Sequence, residues 1–230
     1  MTRSSDDAKH LRHVFVFALK AEWHFIKREY ALTLGPKELV PEGYHSPPLY
    51  QFVKFPDAAV LQVGPGLQTS SKNFLQFLTT HECENVWHLG TCGALVPELR
   101  VGDVIVGTKE LFTSATILKN KSEKEHIAKT YGAKIVDMES AGIAEICAEK
   151  NIPYTSIRVV FDTLADDLEN IGEPYTPAGN LDAGKLVANI VKSPKLIMTL
   201  PLLQKRMALV QKNLAEEVRK ILHQERIAGV

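Results

Sequence analysis

Cysteine is scarce: three in 230 residues. Cys83, Cys92 and Cys147 lie far apart, with no CxxC pair and no zinc-ligand spacing. That excludes a disulfide-stapled scaffold and a cysteine-built metal knuckle, and it suits reduced thiols in a cytoplasmic protein. Net charge is lacking too. Lys plus Arg number 27 and so do Asp plus Glu, so no whole-molecule field draws nucleic acid or an anionic membrane. No apolar run approaches the roughly 20 residues of a membrane span. The start, Met1 to His13, is polar and charged and lacks the apolar stretch of a signal peptide. Internal repeats and low-complexity tracts are absent. Neither a nucleic-acid nor a membrane partner is expected, and no metal.

What remains is ordinary globular composition, 45% hydrophobic and 23% charged. The length suits one domain over two. We expect a disordered tail over 1–12 and a single domain over 13–230.

The pattern along the chain is α/β. Val14 to Leu19 is a continuous apolar run, as a strand buried on both faces should be. A helix should follow over about Ala21 to Leu32. Gln51 to Phe55 and Ala58 to Val63 read as short strands parted by the turn signal Pro56-Asp57. Gly64-Pro65-Gly66 breaks the chain before a helix reaching about Thr80. Asn85 to Leu89 reads as a short strand ending on Gly90 and Gly93. Val101 to Val106 is a turn and a strand, and Leu111 to Leu118 is rich in β-branched residues. Helices are expected over Ser122 to Thr130 and Glu139 to Lys150. Ala133 to Val136 leads into the second of these, and Ile152-Pro153 starts a strand through Tyr154 to Phe161. In the tail Leu203, Met207, Val210, Leu214, Val218 and Ile221 recur at gaps of three and four, an amphipathic helix. The expectation is a mixed central sheet flanked by helices. Ligands of such sheets bind at the carboxyl ends of strands. That marks Ala18 to Glu22, Gly64 to Gly66, Gly90 to Gly93 and Phe161 to Asp166.

Each of these segments has a bland reading and a chemical one. Gly64-Pro65-Gly66 alone is a strand-to-helix turn, yet its glycines and the helix start behind it suit an anion or a ribose. Gly90-Thr91-Cys92-Gly93-Ala94 is either a tight turn or a hydroxyl held open between glycines. Asp137 and Glu139 could simply favour a positive helix start, but a carboxylate there can also accept two hydroxyls of a vicinal diol, with Met138 packed on the sugar. Asp162 is a turn cap or, if burial raises its pKa, an acid. Arg158, mid-strand, requires a carboxylate if buried, and Glu139 is the partner expected. Glu22 is a solvated helix acid or a group orienting water.

The ordered set is more specific than its parts. Ala18-Leu19-Lys20-Ala21-Glu22, Gly64-x-Gly66, Gly90-Thr91-Cys92-Gly93-Ala94 with Val101-Gly102-Asp103-Val104, Val136-Asp137-Met138-Glu139-Ser140-Ala141 and Arg158-x-x-x-Asp162 together resemble the purine nucleoside and uridine phosphorylase superfamily. That superfamily includes methylthioadenosine/adenosylhomocysteine nucleosidase. The resemblance runs from about Val14 to Asp166, and the leucine-rich tail is similar to the shorter hopanoid-associated phosphorylases.

The resemblance implies a nucleoside phosphorylase-like fold and a set of roles. Asp162 matches the acid that protonates purine N7 as the base leaves. Met138 and Glu139 match the ribose-binding pair. Gly66, Thr91 and Gly93 match the phosphate or water site, and Glu22 the glutamate that positions water. Ile117, Leu118 and Phe161 fall at the base pocket. The bond breaks with cationic character on the sugar, which nearby negative groups should stabilise. No cofactor is implied, with phosphate as an alternative co-substrate. A homodimer or higher homo-oligomer binding a small purine nucleoside is expected.

Departures from the family pattern tilt the expectation. Between Val106 and Thr113 the chain is several dozen residues shorter, losing part of the 5′ pocket. His88 stands where bacterial hexameric phosphorylases carry Arg, their Gly-Asp-Pro loop is replaced by Ala18 to Glu22, and Phe161 replaces a Ser. The expected reaction is cleavage of a purine nucleoside of the adenosine or methylthioadenosine type by water. Phosphorolysis is the first alternative, and a non-catalytic nucleoside-binding relative the second.

Overall fold

The computed structural model describes residues 9–34, 47–55, 57–168, 175–193 and 196–228. Its centre is the strand β1 (Lys9–Phe17). The strand starts inside the segment expected to be a disordered tail: Lys9, His10 and Leu11 pair with His81, Glu82 and Cys83, so backbone pairing extends the domain to at least residue 9. Its alternation explains the sandwich around it. Phe15 and Phe17 enter one apolar cluster, while Val14 and Val16 enter the cluster on the opposite face. Both faces of the strand are therefore covered, which is what its unbroken apolar run requires.

Parallel neighbours flank β1 on both sides. They are β4 (Ala58–Gln62) and β5 (His81–Ala94). Next to β5 lies β9 (Tyr154–Asp162), also parallel. Antiparallel additions complete a nine-stranded mixed sheet among the described residues: β2 (Leu32–Leu34), β3 (Leu49–Phe52), β6 (Val104–Val106) and β8 (Ile135–Asp137), with β7 (Leu111–Thr113) parallel to β8.

The helices α3 (Leu67–Phe77) and α5 (Ser140–Glu149) cover one face, where Phe74, Phe77, Ile143 and Ile146 meet Val14, Val16 and Leu61. The long helix α7 (Leu196–Ala228) covers the other. Its Val210, Leu214, Val218 and Ile221, read from the sequence as one stripe, all pack on Phe15, Leu89 and Val159. Each such fully buried side chain contributes about 1.5–3 kcal/mol. Pro201 lies inside α7, and Ile197, Met198 and Leu202 beside it are exposed. Two further helices are α4 (Lys121–Tyr131) and α6 (Ala183–Lys192). Asn120 caps α4 by accepting from the Glu123 N–H, and Asp182 caps α6 from that of Lys185.

Two expectations need correction. The single helix expected over Ala21 to Leu32 is instead two single turns, α1 (Lys20–Trp23) and α2 (Ile26–Glu29), followed by β2. Trp23 and Ile26 both turn into the core, and that tertiary packing overrides the helical propensity of the segment. The strand expected to end at Leu89 continues to Ala94, so Gly90 and Gly93 lie inside it. Of the β-branched stretch Leu111 to Leu118, only Leu111–Thr113 forms a strand, and Ile117 and Leu118 lie in a loop. Pro56 of the expected turn lies outside the described residues.

Candidate active site

The parallel strands point their carboxyl ends to one edge, and the candidate residues gather there. Glu22 is buried on α1 just beyond β1. Its Oε1 accepts both the backbone N–H of Thr91 (2.8 Å) and the Thr91 hydroxyl (2.8 Å). Its Oε2 accepts the Leu19 N–H (3.0 Å). Burial pushes the carboxyl up, against the pull of the Thr91 and Leu19 hydrogen bonds and of the Arg158 charge.

Gly66 follows β4 and precedes α3, at a φ of 85° that favours glycine. Its N–H donates to Glu139 Oε1 at 2.8 Å, across 73 residues. Glu139 sits at the junction of β8 and α5. Among the described residues its Oε2 takes no hydrogen bond, which leaves that oxygen for a ligand. Burial, with Asp137 beside it, raises the Glu139 carboxyl to about 7, opposed by Arg158 and the Gly66 N–H. Met138, between the two acids, is half-buried.

Arg158 lies beneath this group on β9. Its partner is Asp137, at 2.7 Å from Nη2, and both side chains are 1% exposed. Glu139, the partner expected from the sequence, acts on the guanidinium only at longer range. The reason is where the strand ends: Asp137 is the last residue of β8, whereas Glu139 already lies in the turn that opens α5 and accepts the Gly66 N–H. The Arg158 Nη2 also donates to Ser140 Oγ (2.7 Å) and lies 3.0 Å from the His88 ring. Burial and Arg158 together push His88 well below its ordinary range, so the ring is neutral.

The two glycines of β5 are where these side chains pass. A Cβ at Gly90 would overlap Arg158 Nη1 and lie 3.0 Å from Glu22 Oε1. A Cβ at Gly93 would lie 2.9 Å from Asp162 Oδ2 and 3.2 Å from Val136 Cγ1. Glycine is required there for close approach of side chains across the strand, not for a turn.

Asp162 ends β9. The β5 to β9 register skips Phe161, since Cys92 faces Val160 and Gly93 faces Asp162. This bulge aims Asp162 at Gly93. Asp162 Oδ2 pairs with Lys124 Nζ at 2.6 Å, with the lysine side chain 1% exposed and that of Asp162 12%. Lys124 also donates to the Thr163 carbonyl (2.7 Å). Burial raises the Asp162 carboxyl, and Lys124 opposes this. The turn cap considered for Asp162 is made by Asp166, which accepts the N–H and hydroxyl of Thr163 (2.7 and 2.8 Å). Arg206 of α7 grips Asp166 with two bonds of 2.9 Å. Against the cost of burial, these hydrogen bonds hold Asp166 down to about 2.

The structure thus brings Glu22, Gly66, Thr91 and Glu139 together over Arg158, with Gly93 and Asp162 farther along β5. It does not join the residues expected at the base. Leu118 packs with Leu95, Ala133 and Val136, whereas Phe161 packs with the core beneath α7. Sequence reasoning missed Lys124. A lone lysine in a charged helix has no periodic or motif signal, and only its burial singles it out. It missed Arg206 for the same reason.

Comparison with known proteins agrees with this fold. No curated protein matches the sequence. Among solved structures, the chain is similar to a mutant of the Helicobacter pylori MTAN with 5′-methylthioadenosine in the active site. The TM-score is 0.63 at 14% identity, covering 91% of this chain and 99% of that one. It is also similar to futalosine hydrolase of Helicobacter pylori strain 26695 (TM-score 0.58, 16% identity, 82% and 99% covered). A 5′-methylthioadenosine/S-adenosylhomocysteine nucleosidase from Colwellia psychrerythraea 34H in complex with adenine scores 0.56 at 15% identity, with 80% and 96% covered. These likenesses share the α/β fold. The family model of the phosphorylase superfamily matches residues 49–120 and 111–188, more than half of the sequence. By that match the chain belongs to the phosphorylase superfamily.

Proposed function

We propose that the protein cleaves the N-glycosidic bond of a purine nucleoside with water, releasing free base and ribose. The observation that carries the choice of water is the double hydrogen bond from Thr91 to Glu22. A bound phosphate would need donors at Thr91, yet both are already directed at a carboxylate. A phosphate there would meet like charge in a buried setting, which is costly. A water molecule beside the same carboxylate is oriented by it and can give it a proton.

The other residues fit the remaining steps. Glu139 Oε2 is available to accept ribose hydroxyls, with Met138 beside it. The Glu22 and Glu139 carboxylates place negative charge where the sugar becomes cationic as the bond to the base breaks. Asp162, on the far side of Gly93, protonates the departing base at N7. The electron pair of the broken bond goes to the base, and water closes on the anomeric carbon. The solved relatives described as nucleosidases and as a futalosine hydrolase support this reading over phosphorolysis. A purine nucleoside of the adenosine or methylthioadenosine type is the substrate class proposed.

The test is release of base from adenosine, inosine, guanosine and methylthioadenosine, with and without phosphate, beside Asp162→Asn. Release independent of phosphate and lost in Asp162→Asn is expected. Release that requires phosphate and yields ribose 1-phosphate would overturn the proposal in favour of phosphorolysis.

A further inference from the structure

The ion pair between Lys124 and Asp162 changes what Asp162 can do. An acid that protonates a leaving base must carry a proton before the bond breaks. Asp162 Oδ2 lies 2.6 Å from an ammonium that is 1% exposed and whose only other acceptor among the described residues is the Thr163 carbonyl. At that distance Asp162 is held as a carboxylate facing a proton donor. The proton it needs is therefore on the neighbouring nitrogen.

We propose that Lys124 stores the proton that Asp162 delivers, so that the pair acts as a two-member relay. This rests on the reading of Asp162 as the group that protonates the base. One mobile proton is shared by Lys124 Nζ and Asp162 Oδ2. As the glycosidic bond lengthens and its electron pair moves onto the base, Lys124 gives that proton to the Asp162 carboxylate, and Asp162 passes it to the base nitrogen. The pair is left as a neutral amine beside a carboxylate. The attacking water loses a proton to Glu22. That proton goes on to solvent and solvent returns one to Lys124, so the pair is restored at the end of each turnover. Lys124 does not touch the substrate: it is a positioning and proton-supplying residue that acts through Asp162.

The surroundings of the pair suit a relay. Lys124 comes from α4 and Asp162 from β9, so their approach is fixed by the packing of two separate elements. The other charged and titratable groups facing Asp162 are Asp166 in the following loop, Arg206 on α7 and Cys92 on β5. Asp166 and Arg206 are spent on each other, and burial pushes the Cys92 thiol far up, so that it stays protonated. Among these groups only Lys124 offers Asp162 a proton through a direct hydrogen bond.

Two substitutions separate this role from that of a simple anchor. Arginine keeps the cation and the ion pair but does not release its proton. For Lys124→Arg we expect kcat to fall about 100-fold with KM unchanged, the scale of a lost general acid. Lys124→Met removes both charge and proton. If Lys124 merely holds Asp162 ionised, its loss lets burial raise Asp162, and the alkaline limb of the kcat/KM profile moves to higher pH. If Lys124 is the proton store, the wild-type limb reports the pair, and its loss moves that limb to lower pH. The downward shift is expected. An upward shift, or wild-type kcat in Lys124→Arg, would overturn the relay. Thermal unfolding of both variants checks that they fold. Failure of the wild type to release base, or full activity in Asp162→Asn, would instead remove the reading of Asp162 itself.

Discussion

Arg158 Nη2 meets Asp137 Oδ2 at 2.7 Å in the interior of the protein, with both side chains 1% exposed. The pair joins β9 to β8 below the candidate site, and Ser140 and His88 surround the same guanidinium. Taking one charge away leaves the other buried and uncompensated, which costs about 3–5 kcal/mol.

Arg158→Met and Asp137→Asn should each destabilise the fold by about that amount, and the double variant by clearly less than the sum. Urea unfolding of the three variants measures this. A parallel cycle between Arg158 and Glu139 should show much weaker coupling, because Glu139 is hydrogen-bonded to Gly66 instead.

Glu139 makes stability depend on pH in a definite direction. Its carboxyl is raised from 4.5 to about 7 in the folded protein. Between those values the folded chain holds a proton that the unfolded chain has lost, so stability from this group is fully present below about 4.5 and is lost as pH rises through 7. Glu139→Gln should flatten that part of the stability profile, as followed by thermal unfolding from pH 5 to pH 8. An unchanged slope in the variant would exclude Glu139 as its source.

Gly90→Ala should disturb the site more than the core. A methyl group there overlaps Arg158 Nη1 and crowds Glu22, so both must shift. We expect a loss of about 1–3 kcal/mol in stability and at least a tenfold fall in kcat/KM, since the water-orienting carboxylate is displaced. Full activity would show that this crossing point is slack.

Glu22→Gln keeps the shape at the Thr91 contact but removes the charge and the proton acceptor. Hydrolysis should fall by about 100-fold or more. With the like charge gone, phosphate should become a better competitor at the site, measurable as inhibition or as ribose 1-phosphate formation.

Asp166 and Arg206 tie α7 to the loop that follows Asp162. Asp166 is held down to about 2, so the stability it supplies is present above about 3.8 and is lost as pH falls toward 2. Arg206→Ala should weaken that acid dependence and loosen the loop while leaving the sheet intact. Hydrogen exchange should quicken near residues 163–166 and not in β1.

The sequence alone determined the class of fold. Val14 to Leu19 is apolar without interruption because parallel strands are covered on both faces, and the stripe from Leu203 to Ile221 has helical spacing because one side of α7 is buried. Such patterns depend only on local period. The positions of Glu22, Gly66, Glu139 and Asp162 just at or after strand ends were also legible, since each follows an apolar run, whereas Thr91 lies inside β5.

Tertiary structure decided how those residues pair. Arg158 meets Asp137 and not Glu139 because β8 and β9 lie on opposite sides of β5 and approach at a fixed register. Gly90 and Gly93 lie within β5 because Arg158, Glu22 and Asp162 must cross it. Leu118 and Phe161 separate because a bulge takes Phe161 out of the β5 register while Leu118 lies in the loop after β7, and each packs against a different core. Lys124 becomes a partner of Asp162 only when α4 closes over the end of β9. Local sequence fixes which face a side chain leaves from, whereas the partner it reaches depends on elements distant in the chain, and no local spacing encodes that distance.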